Sequence, residues 1–351
     1  MSALDTSPIK ESPIKDGKKK SSVNLRRRDA IETLIAKPPM IVKSAISQLR
    51  YLILVDGLTI NKDGQCSYRN YVWSILLRVE PTKPVSYLHL IQKGPSNSYS
   101  KIRNDTFRTL TTDTSFRAKV SEDSLIRVLN AFAWKRQYSS STSSLAAQRK
   151  PFTADAYVQG MNVLAAPFLY VTRSEDQAFN LFDAFLMRDC PLYIQPTLQG
   201  VHLGLTLLDV SLSIIDPNLY EFLRSKYLSA ELYAFPSILT FSACTPPLQE
   251  VLILWDFLFA YGCHMNILFV IAQLTLIREK LMSSSSPMSL LRAFPPIQAR
   301  EVIKLGISYV AKLPDNVYEL LVRHTYDPSA AAEVNKLAET MKKRKKKVNI
   351  P

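Results

Sequence analysis

The chain has 351 residues, 47% of them hydrophobic, which is enough to bury the core of one large domain or two modest ones. It contains only 9 glycines and neither of the common glycine-rich phosphate-binding patterns, which disfavours a nucleotide site in the chain itself. The formal net charge is +14, but residues 1–28 carry +5 and residues 336–351 carry +6, so the body is nearly neutral and nucleic-acid binding by the fold is disfavoured.

The residues that most often bind metals are scattered along the chain, and no C-x-x-C pair occurs. They are Cys66, Cys190, Cys244 and Cys263 with His89, His202, His264 and His324. In a chain of this length the pattern predicts reduced thiols in a cytosolic or nuclear protein and no metal site. The N-terminus is polar and has no apolar segment of the kind found in secretory signals.

Residues 1–28 are rich in Ser, Pro and Lys, which predicts a disordered basic tail. The tail repeats the sequence Ser-Pro-Ile-Lys, beginning at Ser7 and again at Ser12. This pattern is typical of sites phosphorylated by cyclin-dependent kinases, so both serines are candidate phosphosites, and phosphorylation would nearly cancel the charge of the tail. The alternatives are a solvated linker and contact with the DNA backbone.

Helical signals dominate the body and predict an all-α fold, with residues 87–91 as the one stretch of strand-like alternation. Ser121 is a predicted N-cap, and an apolar stripe follows it at helical spacing. Ser174 and Gln177 predict a second helix start with a capping box. Thr245 and Pro246 predict a third start, and Gly262 the end of that helix. Residues 251–277 contain polar residues and a glycine, so we interpret them as two buried helices rather than a membrane span.

The predicted organisation follows from these signals and from composition. Residues 139–151 are rich in serine and predict a flexible insertion, either a spacer or a partner contact. Residues 342–347 are all Lys or Arg and suggest a nuclear-localisation signal, an anionic-surface contact or a solubilising end. The predicted segments are a tail (1–28), a helical lead-in (29–64), a main domain (65–290), C-terminal helices (291–328) and a basic tail (329–351).

Three separated motifs are the strongest functional signals in the sequence. The first is an R-x-x-x-W that places Arg69 and Trp73 together. The second is an I-x-x-D-x-x-R-T over residues 102–109, and the third is a Y-x-Q-G-M-N over residues 157–162. In this order, and followed by Trp255, Asp256 and Gly262, they resemble the signature of the TBC domain, the GTPase-activating domain of Rab-type regulators.

The resemblance covers roughly residues 65–290 and implies an all-helical, two-lobed domain. Such a domain supplies an arginine and a glutamine in trans to a small GTPase of the Ras/Rab superfamily. GTP and Mg²⁺ would belong to that partner, so the resemblance implies no cofactor in this chain. Arginine suits this chemistry because it stabilises the charge that develops on the phosphate oxygens during hydrolysis.

Mapped onto this sequence, the resemblance makes Arg108 and Gln159 the catalytic residues. Asp105 would orient the guanidinium, and Gly160 would let the backbone approach the partner closely. The supporting motif residues are Ile102, Thr109, Tyr157, Met161 and Asn162, and the structural ones are Arg69, Trp73, Trp255 and Asp256. Taken singly, Asp105 and Arg108 could instead be a surface ion pair and Gln159 a polar residue at a helix start.

Residues 157–164 and 244–262 are similar to the fungal mitotic-checkpoint branch of this family. Residues 233–241 lack the tryptophan usual there, and Thr111 and Thr112 stand where a proline often follows in Rab-directed members. The resemblance to this branch implies an activator in the cytoplasm and at the spindle pole body of the cytoskeleton. It would act with a scaffold subunit on the GTPase that controls mitotic exit or septation.

Two alternatives to this function remain open at the level of sequence. One is a Rab-directed activator in vesicle traffic, which would share the catalytic residues and differ in its target GTPase. The other is a non-catalytic helical scaffold that binds a GTPase without accelerating hydrolysis. Binding of nucleic acid would be confined to the two basic tails.

Overall fold

The computed structural model describes residues 42–61, 64–79, 85–141 and 156–348, together with Ile31 and Leu34. Ser7, Ser12, the predicted N-terminal tail and most of the predicted insertion lie outside these ranges. The chain divides into two compact units, residues 1–49 and 50–351. All of the regular elements in the described ranges are helices, which confirms the all-α prediction.

The first half of the chain contributes helices α1 to α8 and a π-helix, with the following bounds: α1 Val42–Asp56, α2 Arg69–Leu76, α3 Val85–Gln92, α4 Tyr99–Thr106, α5 Thr114–Lys119, α6 Glu122–Ser141, α7 Met161–Val171, α8 Glu175–Ala184 and the π-helix Phe185–Asp189. Within residues 50–351, α6 packs against α3, α4, α7 and α8. Helices α3, α4, α6, α7 and α8 form the first of two helical groups.

The second half begins with a short 3₁₀ helix and adds α9 to α19, with the following bounds: 3₁₀ Pro191–Tyr193, α9 Gln199–Ile215, α10 Pro217–Ser225, α11 Ala230–Tyr233, α12 Phe235–Leu239, α13 Leu248–Tyr261, α14 Met265–Leu276, α15 Arg278–Ser283, α16 Pro287–Arg292, α17 Ala299–Val310, α18 Asp315–Arg323 and α19 Ala330–Val348. Helix α9 is the centre of this group and contacts α10, α11, α12, α14, α18 and α19. The two groups correspond to the two predicted lobes, and α13 joins them by packing on α2.

The tract 251–277 forms two buried helices, α13 and α14, as predicted. No helix in the described part of the chain combines the length and apolarity that a membrane crossing requires. The basic run 342–347 lies on the last turns of α19.

Three local predictions need correction: the strand-like stretch at 87–91, the capping box at Ser174 and the helix start at Thr245, whereas the cap at Ser121 is confirmed. Residues 87–91 are helical in α3, not a strand, because Tyr87 and Ile91 share one helical face and Tyr87 packs on Phe179 at 5.2 Å between ring centroids. Ser121 caps α6 as predicted, its hydroxyl accepting from the Ser124 N–H at 3.2 Å. Ser174 occupies the N-cap position of α8, but its side chain makes no capping bond.

The predicted capping box at α8 does not form, because Ser174 makes no capping bond and the Arg173 N–H, one residue before the N-cap, donates at 3.4 Å to Gln177. Its side-chain oxygen accepts from Asn70 Nδ2 at 3.0 Å and thereby ties α8 to α2. Helix α13 begins at Leu248 rather than at Pro246, with Pro247 as an extended N-cap. A residue that precedes proline is driven out of the helical region, so Thr245 and Pro246 lie before the helix.

A buried ion pair anchors the contact between α2 and α13. Arg69 Nε and Nη2 donate to Asp256 at 3.0 Å each, and Trp73 Nε1 donates to Asp256 Oδ1 at 2.8 Å. The side chains of Arg69 and Asp256 are only 2% and 4% exposed. Burial raises the pKa of Asp256, and the guanidinium and the indole offset part of that rise. Bidentate geometry with a third donor is what allows a charge pair to persist in a protein core.

Aromatic rings surround this pair and form the core between the two helical groups. Trp73 lies edge-on to Phe259 at 4.9 Å between centroids, and Trp255 packs on Phe168 at 5.2 Å. The Trp255 indole N–H donates to the Phe241 carbonyl at 3.0 Å, so both buried indoles have hydrogen-bond partners. The tryptophans of the first motif and of α13 are therefore parts of one core.

Replacing Asp256 by Asn should lower the free energy of unfolding by about 3–5 kcal/mol, because the Arg69 charge would remain buried without its counterion. The measurement is urea unfolding followed by circular dichroism. The matched control is Glu319→Gln, since Glu319 pairs with Arg323 but is 66% exposed, and a loss below about 1 kcal/mol is expected there. Equal losses of unfolding free energy in the two variants would contradict the conclusion that the buried ion pair stabilises the core more than an exposed pair does.

Candidate functional site

The arginine of the second motif lies in a turn at the end of α4. This helix buries Ile102, Asp105 and Thr106 and leaves Arg103 exposed. The chain leaves the helix after Thr106, and the Arg108 side chain, two residues later, is 55% exposed. The buried residues fix the turn to the core, and the guanidinium is presented to solvent.

The Asp105 carboxylate binds side chains from two different motifs. Its Oδ1 accepts from Arg108 Nη2, and its Oδ2 accepts from the Tyr157 hydroxyl at 2.9 Å. Its side chain is only 10% exposed, so the carboxylate is a fixed point for both donors. Burial, followed by the hydrogen bond to Asp105, raises the pKa of Tyr157 above its usual value, so this phenol stays protonated and donates.

Asn162 adds a second bridge between the same two segments. Its Nδ2 donates to Thr109 Oγ1 at 2.8 Å and to the Asp105 carbonyl at 3.3 Å, and its Oδ1 accepts from the Tyr157 hydroxyl at 3.3 Å. All four side chains are buried. A fully bonded buried polar network fixes the relative position of the two segments.

The glutamine of the third motif lies at the surface, immediately before α7. Gln159 is exposed and follows Tyr157 by two residues, which places it on the segment tied to Asp105. Met161 lies in the core at 2% exposure, and its sulfur accepts from the Val158 N–H at 3.4 Å. The segment is thus held on both sides of Gln159, and the amide itself projects outward.

Gly160 also has a role inside the domain. Its φ is +100°, and a Cβ there would lie 2.8 Å from Leu239 Cδ2. A side chain would therefore meet both backbone strain and a clash within the protein. The residue is buried, so its positive φ and the nearby Leu239 of α12 already require glycine inside the domain, and its approach to a partner stays a prediction.

Two residues that support the site were not anticipated. Asp113 caps α5 by accepting from the Phe116 N–H at 2.8 Å, and its other oxygen accepts from the Leu248 N–H at 3.3 Å, which ties the Arg108 turn to α13. The capping bond could have been recognised from an Asp before Thr-Ser. Arg136 Nη1 donates to the Ala156 carbonyl at 3.0 Å, a contact over twenty residues that no local pattern reveals.

The site therefore presents a cation and an amide from two rigidly joined segments. Such groups can stabilise developing negative charge and orient a water molecule. Within the described ranges, no three His, Cys, Asp or Glu side chains are arranged to hold a metal ion. The chemistry that these residues suit is assistance to a reaction centred on another molecule.

Comparison with known proteins places the chain in the same family that its three motifs resemble. The sequence profile of the Rab-GTPase-TBC domain matches residues 66–282. Cell division control protein 16 of Schizosaccharomyces pombe is 46% identical over 307 residues, which are 88% of this chain and 97% of that protein. Mitotic check point protein BUB2 of Saccharomyces cerevisiae is 48% identical over 303 residues, 85% of this chain and 98% of that protein.

A solved structure supports the fold assignment. The crystal structure of the Chlamydomonas flagellar RabGAP TBC domain superimposes with a TM-score of 0.62, covering 83% of this chain and 94% of that one at 18% identity. At this identity the solved structure supports only the fold. The family match and the two fungal relatives show similarity in sequence as well. The chain belongs to the Rab-GTPase-TBC domain family, whose members activate small GTPases of the Rab and Ras type.

Proposed function

We propose that this chain accelerates GTP hydrolysis on its partner GTPase by inserting Arg108 and Gln159 into the partner's active site. The observation that carries the proposal is the shared Asp105 carboxylate, which holds the Arg108 turn and the Gln159 segment together while both side chains remain exposed. GTP and Mg²⁺ are bound by the partner. The chain is then an activator that contributes catalytic residues and has no substrate of its own.

Each side chain supplies a different part of the reaction. The guanidinium of Arg108 neutralises charge on the phosphate oxygens as the bond to the leaving phosphate lengthens, a contribution of about 10³–10⁵ in rate where it has been studied. The amide of Gln159 accepts from the attacking water with its oxygen and donates with its nitrogen, and so places the water in line. Both groups act with little rearrangement because Asp105, Tyr157 and Asn162 already fix their backbones.

The relatives suggest which process the activator serves. Two proteins named for cell division control and the mitotic check point match this chain over 97% and 98% of their own lengths. We therefore propose that the target is the spindle-pole GTPase that controls mitotic exit or septation. On this proposal the chain works in the cytoplasm and at the spindle pole body, as a checkpoint component bound to a scaffold subunit.

Single-turnover GTP hydrolysis across a panel of small GTPases, with and without a candidate scaffold, tests the proposal. The panel separates a mitotic-exit GTPase from vesicle Rabs, the alternative targets. A wild-type chain that binds a GTP-loaded member without accelerating hydrolysis would support the non-catalytic scaffold instead. Acceleration of no member, with the scaffold present, contradicts the proposal.

Arg108→Ala should lower the rate at saturating activator by about 10³-fold or more, and Gln159→Ala by about 10²-fold, since one removes charge stabilisation and the other water alignment. Binding to the GTP-loaded GTPase should change little. Arg224→Ala and Gln92→Ala are matched controls, since both are exposed residues outside the three motifs. Full activity in the Arg108 variant would contradict catalysis by this residue.

Tyr157→Phe should lower the saturating rate about tenfold, because Asp105 loses a donor and no longer holds Arg108 in place. The GTPase concentration that gives half-maximal rate should be unchanged. Tyr87→Phe is the matched control, since the Tyr87 hydroxyl donates to Glu175 Oε2 at 2.9 Å outside the site. If both variants lose activity in proportion to their thermal stability, Tyr157 has only a structural role.

A further inference from the structure

We infer that Phe107, beside Arg108, is the apolar anchor of the surface that docks the partner GTPase. The inference rests on the proposed function and identifies a binding residue that the catalytic motifs do not include. Phe107 is 64% exposed, and it is the one phenylalanine among the exposed large hydrophobic residues of the described ranges. Phenylalanine has no polar atom to bond with water, so burying its ring against another molecule removes apolar area from water.

The helical register explains why Phe107 cannot turn inward. The buried positions of α4 and its turn are Ile102, Asp105, Thr106 and Thr109. Phe107 closes α4 with φ −60° and ψ −23°, so it continues the exposed face of Arg103 and Asn104, four and three residues earlier. The same network that orders the catalytic turn therefore fixes the ring in solvent.

The ring forms part of a shallow cavity on this face. Its lining residues are Tyr99, Ser100, Arg103, Asn104, Phe107 and Glu122. We call this surface the Phe107 platform. An aromatic centre with a polar rim is the composition typical of an interface hot spot, and Arg103 and Glu122 provide rim groups of opposite charge.

Continuity with Arg108 identifies the occupant as the GTPase. The Cα atoms of consecutive residues are about 3.8 Å apart, so a protein that encloses the Arg108 guanidinium comes within reach of the Phe107 ring. The GTPase should therefore place an apolar side chain from beside its nucleotide site on the Phe107 ring.

The test separates docking from catalysis with Phe107→Ala. The GTPase concentration for half-maximal rate, and the Kd for the GTPase loaded with a non-hydrolysable GTP analogue, should both rise about tenfold. The rate at saturation should stay within twofold of wild type. Phe107→Leu should recover part of the affinity, since it restores apolar area. Tyr227→Ala is the matched control, because Tyr227 is 89% exposed in the second helical group.

Several outcomes would overturn the inference. An unchanged Kd and an unchanged half-maximal concentration in Phe107→Ala would exclude docking by this residue. A lowered saturating rate at constant Kd would show instead that Phe107 positions Arg108. If the wild type binds the GTPase without accelerating hydrolysis, the catalytic proposal fails while the Kd comparison still decides the role of Phe107. Absence of any binding overturns both proposals.

Discussion

The arrangement of the candidate site depends on the two hydrogen bonds that the Asp105 carboxylate accepts. One of its oxygens accepts from Arg108 and the other from Tyr157, so a single side chain joins residues that lie about fifty positions apart in sequence. Because Asp105 is nearly buried and Arg108 is more than half exposed, the charged pair has one fixed end and one end available to a partner. An ion pair with one solvent-exposed partner adds little stability, and its value here lies in orientation.

The turn that carries Arg108 is connected to the core through α13. Asp113 ends the turn and accepts from the first N–H of α13, and Asp256 of the same helix holds Arg69 and Trp73 in the buried ion pair. The first motif is therefore buried in the core and is not exposed at the candidate site. Its residues fix α2 to α13, and α13 in turn fixes one end of the catalytic turn.

The sequence allowed prediction of the helical class, the buried pair of helices at 251–277 and the cap at Ser121, since these depend on local periodicity and on short-range capping. Local patterns gave the wrong result where a distant contact decided the outcome. Gln177 fits a capping box in sequence, but it bonds to Asn70 over a hundred residues away. The contact between Gly160 and Leu239, which crowds a Cβ, likewise could not be recognised from the sequence.

The site itself was predictable as a set of residues and not as a geometry. The motifs named Asp105, Tyr157 and Asn162, whereas the bonds among them depend on how α4 packs on α7. The exposure of Phe107 could not be predicted for a related reason. A phenylalanine in an apolar-rich chain is normally assigned to the core, and only the register of α4 shows that this one points outward.

Exposure and rigidity are opposing requirements at a site that acts on another protein's substrate. A catalytic arginine that must enter a partner's active site cannot be buried, yet a freely rotating side chain loses entropy on entry and weakens the interaction. The described geometry meets both requirements. Thr109 is buried directly after the exposed Arg108, and Gly160 is buried directly after the exposed Gln159. The exposed ring of Phe107 fits the same logic, since apolar contact beside the guanidinium excludes water where charge must be stabilised.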